Sequence, residues 1–103
     1  MLNFARVAVC AILATASIGY AQNSGADLYK SKCAMCHGAD GTASTPAGKA
    51  MKTPSFKTPE SAKLTDADMI ALTTNGKGKM PAYKGKLTDA QIKEVVTFLH
   101  TLK

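Results

Sequence analysis

Cys33, Cys36 and His37, in the run Cys33-Ala34-Met35-Cys36-His37, are the residues whose types and spacing could carry chemistry. Two thiols one helical turn apart can each form a thioether to a haem vinyl group, and the adjoining imidazole is then placed under the iron. Two other chemistries share part of the pattern. A C-x-x-C pair also suits a dithiol/disulfide couple or half of a zinc site. Zinc would need a second half, and the only other Cys and His are Cys10 and His100. A redox dithiol usually sits early in a strand-helix-strand unit, and no strand pattern precedes Cys33. One covalent haem c is the reading that employs all three residues.

Iron held by His37 needs a sixth ligand if it is to pass electrons without binding gases or peroxide. Met80 is the candidate. It lies in Asn75-Gly76-Lys77-Gly78-Lys79-Met80-Pro81-Ala82-Tyr83, where glycines let the backbone come close and Pro81 fixes the chain beyond the Met. It follows His37 by 43 residues, enough to reach the opposite face of a flat cofactor. Met51 is the alternative. Met69 reads as core, Met35 is trapped between the cysteines, and His100 falls on the polar face of the last helix. A thioether favours ferrous iron, so His/Met ligation raises the reduction potential. His37 should donate its outer N–H to a backbone carbonyl, with Pro46 the candidate. Asn75 or Tyr83 could donate to the Met80 sulfur.

These residues need elements to hold them. Ser24 followed by Asp27 reads as an N-cap, and Ala26, Tyr29, Cys33 and Cys36 recur at helical spacing, which predicts a first helix stopped by Gly38. Residues 38–63 read as a long loop with a short helical turn near Ala47 to Met51. Thr65 with Asp68 and Thr88 with Gln91 form capping boxes, and Leu64 and Leu87 can staple against Met69 and Ile92. The helix from Thr65 ends at Asn75-Gly76, and the last helix presents Ile92, Val95, Val96, Leu99 and Leu102 on one side. No strand candidate appears. The expected fold is all-α: three main helices with a long loop wrapped around one covalently bound haem.

Residues 1–21 read as a cleaved signal peptide, with one charge in Met1 to Arg6, an apolar Val7 to Ile18, and small residues at Gly19 and Ala21. Residues 22–103 then form the domain, exported to a bacterial periplasm and without a stable membrane anchor. Without Arg6, the thirteen basic residues become twelve lysines facing seven acids. Lys77, Lys79, Lys84 and Lys86 surround Met80. They are either a solvated loop or a ring of ammonium groups that steers an acidic redox partner to the haem edge. Nucleic acid is a poor partner, since no aromatic residues interleave with the lysines in a binding motif. With no Trp and three Phe the core is thin, and a macrocycle would supply burial that the chain lacks.

Cys33, Cys36, His37, Gly38 to Gly41, Pro46, Lys79-Met80-Pro81 and the closing helix with Phe98 together resemble the small, soluble, single-haem c-type cytochromes of class I. The resemblance implies that Cys33 and Cys36 are thioether sites, that His37 and Met80 are axial ligands, and that the Pro46 carbonyl orients His37. It also implies that the first and last helices cross at Gly25, Tyr29 and Phe98. The chain departs from some relatives in having no Trp to hold a haem propionate, and Lys49 and Lys52 are the residues considered for that place. The function so implied is a monomeric periplasmic one-electron carrier that does no bond chemistry on a substrate. The alternative is a haem enzyme or a gas or redox sensor with a labile Met ligand.

Overall fold

The structure, a computed structural model, describes residues 24–102. The leader read over residues 1–21, its cleavage after Ala21, and Cys10 lie outside the described residues. Helix α1 (Gly25–Lys32) starts where Ser24 Oγ accepts the Asp27 N–H at 3.3 Å. It does not run on through both cysteines. At Cys33 the backbone leaves helical geometry, with φ −120°, and α2 (Ala34–His37) restarts the helix for one turn. The expected single helix is therefore two pieces, and the break falls on Cys33, one of the two residues expected to bind haem.

The long loop contains two short helices. α3 (Pro46–Ala50) is the turn expected near Ala47 to Met51, capped by Thr45 Oγ1 accepting from Gly48 N–H at 2.9 Å. α4 (Pro59–Ala62) was not anticipated, although Thr58-Pro59 repeats the Thr45-Pro46 device of a capping hydroxyl followed by a proline suited to the first helical turn. α5 (Asp66–Asn75) and α6 (Asp89–Leu99) both begin with complete capping boxes, and a 3₁₀ turn (His100–Leu102) follows α6. Among the described residues there is no β-strand, only isolated bridges at Lys77–Met80 and Lys84–Leu87. The all-α expectation holds.

α6 is the centre of the packing, with α1 and α5 both laid against it. Its Ile92, Val95, Val96 and Leu99 join Leu28, Tyr29, Met69 and Leu87 in one buried cluster. Each such aliphatic side chain contributes about 1.5 to 3 kcal/mol by leaving water. The α1–α6 crossing depends on Gly25, where an added Cβ would sit 2.2 Å from the Glu94 carbonyl oxygen. Beside it Tyr29 packs tilted against Phe98, with ring centroids 5.2 Å apart. Leu64 packs against the cluster that holds Met69, and Leu87 and Ile92 are both buried within it, consistent with both staples.

Candidate functional site

Between the α1–α2 segment, the long loop, α5 and α6 lies a cavity lined by Cys33, His37 and Met80. Its volume is about 120 Å³. The remaining lining is mostly apolar: Pro54, Phe56, Leu64, Met69, Leu72, Val95 and Leu99, with Tyr29, Ser61 and Thr73. The three hydroxyls are turned away from chemistry by their own hydrogen bonds. Tyr29 donates to the Gly38 carbonyl at 2.6 Å, Ser61 to the Ser55 carbonyl at 2.8 Å, and Thr73 to the Met69 carbonyl at 2.8 Å.

His37 closes α2 and its ring stacks on Phe56, with centroids 4.6 Å apart and planes 15° from parallel. Its Nδ1 is buried without a hydrogen-bond partner. An orphan of this kind is costly unless something outside the chain occupies the site. Burial lowers the imidazole pKa below the ordinary value, and the Pro54 carbonyl acts in the opposite direction. The ring is thereby kept neutral, the form that ligates metal.

The Pro54 carbonyl, which acts on His37, was not anticipated from the sequence. Pro46, expected in that role, begins α3. Two contacts hold α3 against the attachment segment. Thr45 Oγ1 donates to the Met35 carbonyl at 2.6 Å, and Gly48 sits so close that an added Cβ would lie 2.2 Å from the Cys36 carbonyl oxygen.

Cys33 and Cys36 are both free thiols, half-buried. Burial, and then the neighbouring Cys36, push the Cys33 thiol up to about 11. As a free thiol it is therefore protonated near neutrality, a poor redox nucleophile, which disfavours the dithiol alternative. Among the described residues no group of three or more His, Cys, Asp or Glu side chains gathers to hold a metal, so zinc lacks its other half.

Met80 is half-buried and lines the cavity; Met69 is also in the wall but buried in the core, while Met51 is exposed outside it. The turn carrying Met80 closes on itself, Lys77 N–H to Met80 carbonyl at 3.1 Å and Met80 N–H to Lys77 carbonyl at 3.0 Å. Neither expected donor is bonded to its sulfur: the Tyr83 hydroxyl donates to the Lys32 carbonyl at 2.9 Å, and Asn75 is exposed at the end of α5. Lys77, Lys79, Lys84 and Lys86 are all exposed, as are Lys49 and Lys52. His100 is at the surface, 2.6 Å from Asp66. The site fits an iron porphyrin through the reduced Cys33 sulfur in its lining, a neutral imidazole with an unsatisfied nitrogen, a thioether and an apolar wall, while the equally reduced Cys36 lies outside the lining one turn on. Pro54, Phe56, Ser61 and Thr73 carried no local signal of their place in it.

Comparison with known proteins bears on the same residues. Residues 21–99 match the family described as cytochrome c oxidase, cbb3-type, subunit III. Cytochrome c6 of Leptolyngbya boryana is 36% identical over 76 residues, which span 74% of this chain and 86% of that protein. The cbb3-type cytochrome c oxidase subunit CcoP of Azospirillum brasilense is 33% identical over 84 residues, but this covers only 28% of that longer protein. Among solved structures, the KustC0563 c-type cytochrome superposes with a TM-score of 0.71 at 32% identity, covering 78% of this chain and 98% of that one. Cytochrome c6 of the diatom Phaeodactylum tricornutum gives 0.57 at 28% identity, covering 76% and 90%.

Proposed function

The chain belongs to the c-type cytochrome family, as a small class I member carrying one covalent haem c, and on that premise we propose that it is an exported, periplasmic one-electron carrier with His37 and Met80 as axial ligands. When bound, the haem iron supplies the redox change. The chain's own residues do the rest. Cys33 and Cys36 tether the macrocycle, His37 offers a neutral ring nitrogen, Met80 offers sulfur from another wall, and the apolar lining excludes water.

The observation that carries this reading is the shared cavity: tether, imidazole and thioether line one space whose hydroxyls are all committed to backbone carbonyls. Apart from His37 and Cys33, which the haem would engage, that wall holds no carboxylate, lysine or uncommitted hydroxyl to move a proton, which favours electron transfer over the enzyme or sensor alternative. A ligand pair that stays bound in both oxidation states keeps structural change small as an electron moves. The leader-like residues 1–21 support export. Among the described residues no helix is long and apolar enough to cross a membrane.

The partner is an acidic redox protein, met by Lys77, Lys79, Lys84 and Lys86 in the loop around Met80, and the carrier acts as a monomer. Neutralising the four lysines should slow partner reduction and flatten its dependence on salt, measured by stopped flow over a range of ionic strength. Unchanged rates would return the lysines to solvated loop. The ligand assignment is tested by substitution. Met80→Ala should give a high-spin or water-ligated haem with a potential lower by on the order of 0.1 V, whereas Met51→Ala should leave the spectrum unchanged. The reverse pattern would move the ligand to Met51. Mass spectrometry of the secreted form should show the processed chain plus one haem, and a bare peptide mass with titratable thiols would end the carrier reading.

A further inference from the structure

Tyr83 stands three residues beyond Met80, and its hydroxyl makes the side-chain hydrogen bond of greatest sequence separation among the described residues, to the Lys32 carbonyl at 2.9 Å. Lys32 is the last residue of α1 and immediately precedes Cys33. A helix leaves its final carbonyls without internal partners, so this bond satisfies a group that would otherwise need water. The backbone of the same residue is tied to another element. Tyr83 N–H donates to the Thr73 carbonyl at 3.0 Å, Lys84 N–H follows to Thr74 at 3.1 Å, and the Tyr83 carbonyl accepts from Leu87 N–H at 3.0 Å. One residue thus fastens the Met80 loop both to α5 and to the haem-attachment segment.

The Met80 turn has little else to hold it there. Lys77 and Met80 bond to each other, and the residues between them are exposed. The ring of Tyr83 packs against the core cluster, with the Lys86 ammonium 5.9 Å from its centroid. A hydrogen bond at this point restrains the turn from swinging away from the wall that carries His37.

We propose that Tyr83 is a positioning residue for the sixth ligand: its bond to the Lys32 carbonyl latches the Met80 loop and sets how readily the distal site opens to a small ligand. The inference rests on Met80 being that ligand. The latch is why a thioether, a weak donor carried by an exposed turn, stays in place.

The test uses the haem-loaded protein. Tyr83→Phe keeps the ring and its packing and removes only the donated proton. Carbon monoxide should bind the ferrous form about three- to tenfold faster, and the sulfur-to-iron charge-transfer band of the ferric form should weaken without vanishing. Lys93→Leu, on the exposed side of α6 and leaving the hydroxyl bond intact, should bind carbon monoxide at the unsubstituted rate. A folded Tyr83→Phe protein with unchanged rate and band overturns the latch, even if its melting temperature falls. An unsubstituted protein with no sulfur band, insensitive to Met80→Ala, overturns the ligand assignment and the latch with it. Should Tyr83→Phe fail to fold, hydrogen exchange on the unsubstituted protein decides: the Met80 and Tyr83 amides should open in one event, and unrelated opening rates would overturn the latch.

Discussion

The cavity wall that carries His37 and the wall that carries Met80 hold their candidate ligands by different means. His37 ends a helical turn between two bracing elements, α3 on one side and Phe56 stacked on the ring at 4.6 Å, with Tyr29 closing the turn through the Gly38 carbonyl. Met80 sits on a self-closing turn tied to the body at Thr73, Thr74 and Lys32 through Tyr83 and Lys84. The first wall resists change because its atoms are crowded. The second resists because a few hydrogen bonds, one of them reaching back to Lys32, stop it from moving. A strong imidazole ligand tolerates either arrangement, but a weak thioether depends on the restraint around it.

Two glycines test that contrast with the largest expected effect. Gly48 is crowded, since an added Cβ would meet the Cys36 and Ala43 carbonyl oxygens at 2.2 and 2.6 Å, whereas Gly78 has nothing within 4 Å and only its φ of +57° to penalise a side chain. Gly48→Ala should cost about 2 to 3 kcal/mol of stability, because backbone must shift to admit it. Gly78→Ala should cost about 1 kcal/mol, the price of a left-handed alanine. Denaturant unfolding of the haem-loaded proteins checks both, and equal losses would show the His37 wall to be no stiffer than the other.

The two tyrosines offer a finer version. Tyr29 is buried, and its phenol pKa is raised first by burial and then by Cys33 and Asp40. Tyr29→Phe strips the buried Gly38 carbonyl of its 2.6 Å partner and should lower stability by about 1 to 2 kcal/mol. It should leave the sulfur-to-iron band intact, in contrast to Tyr83→Phe. A Tyr29→Phe protein that loses the band would show that the walls are coupled and not separately held.

The same contrast explains what the sequence made legible. Ser24, Thr65 and Thr88 announce helix starts through partners three residues away, and the cysteines and His37 lie within one turn, so local spacing was sufficient for them. That Met80 reaches the cavity wall was legible from its glycines and proline: at Gly76 (φ +72°) an added Cβ would meet the Met80 carbonyl oxygen at 2.7 Å. What failed was the pairing of residues far apart. The carbonyl beside His37 was sought at Pro46, which begins α3, and the Pro54 carbonyl, which also acts on the ring, was not considered. Tyr83 was weighed as a donor to sulfur, but Lys32 lies 51 residues earlier and nothing local reveals that they meet. The break at Cys33 was also hidden, since its neighbours fit an unbroken helical pattern.

The smallest expected effect separates the helix that supports Met80 from the one at the centre of the core. α5 and α6 start with the same capping box, but the returning side chain is Asp68 in one, accepting Thr65 N–H at 2.9 Å, and Gln91 in the other, accepting Thr88 N–H at 2.9 Å. The bonds from Thr65 hold the Asp68 carboxyl below its ordinary value of 3.8. A carboxyl with a folded-state pKa below its unfolded one stabilises above the unfolded value and loses that contribution as pH falls through the folded value. The melting-temperature loss caused by Asp68→Ala should therefore be constant from about pH 7 to about pH 5 and shrink below pH 4. The loss caused by Gln91→Ala should be flat across the same range, because an amide does not titrate. A flat Asp68→Ala profile would mean that the charge on the box contributes nothing, and that the Met80 wall has no acid-sensitive foundation of its own.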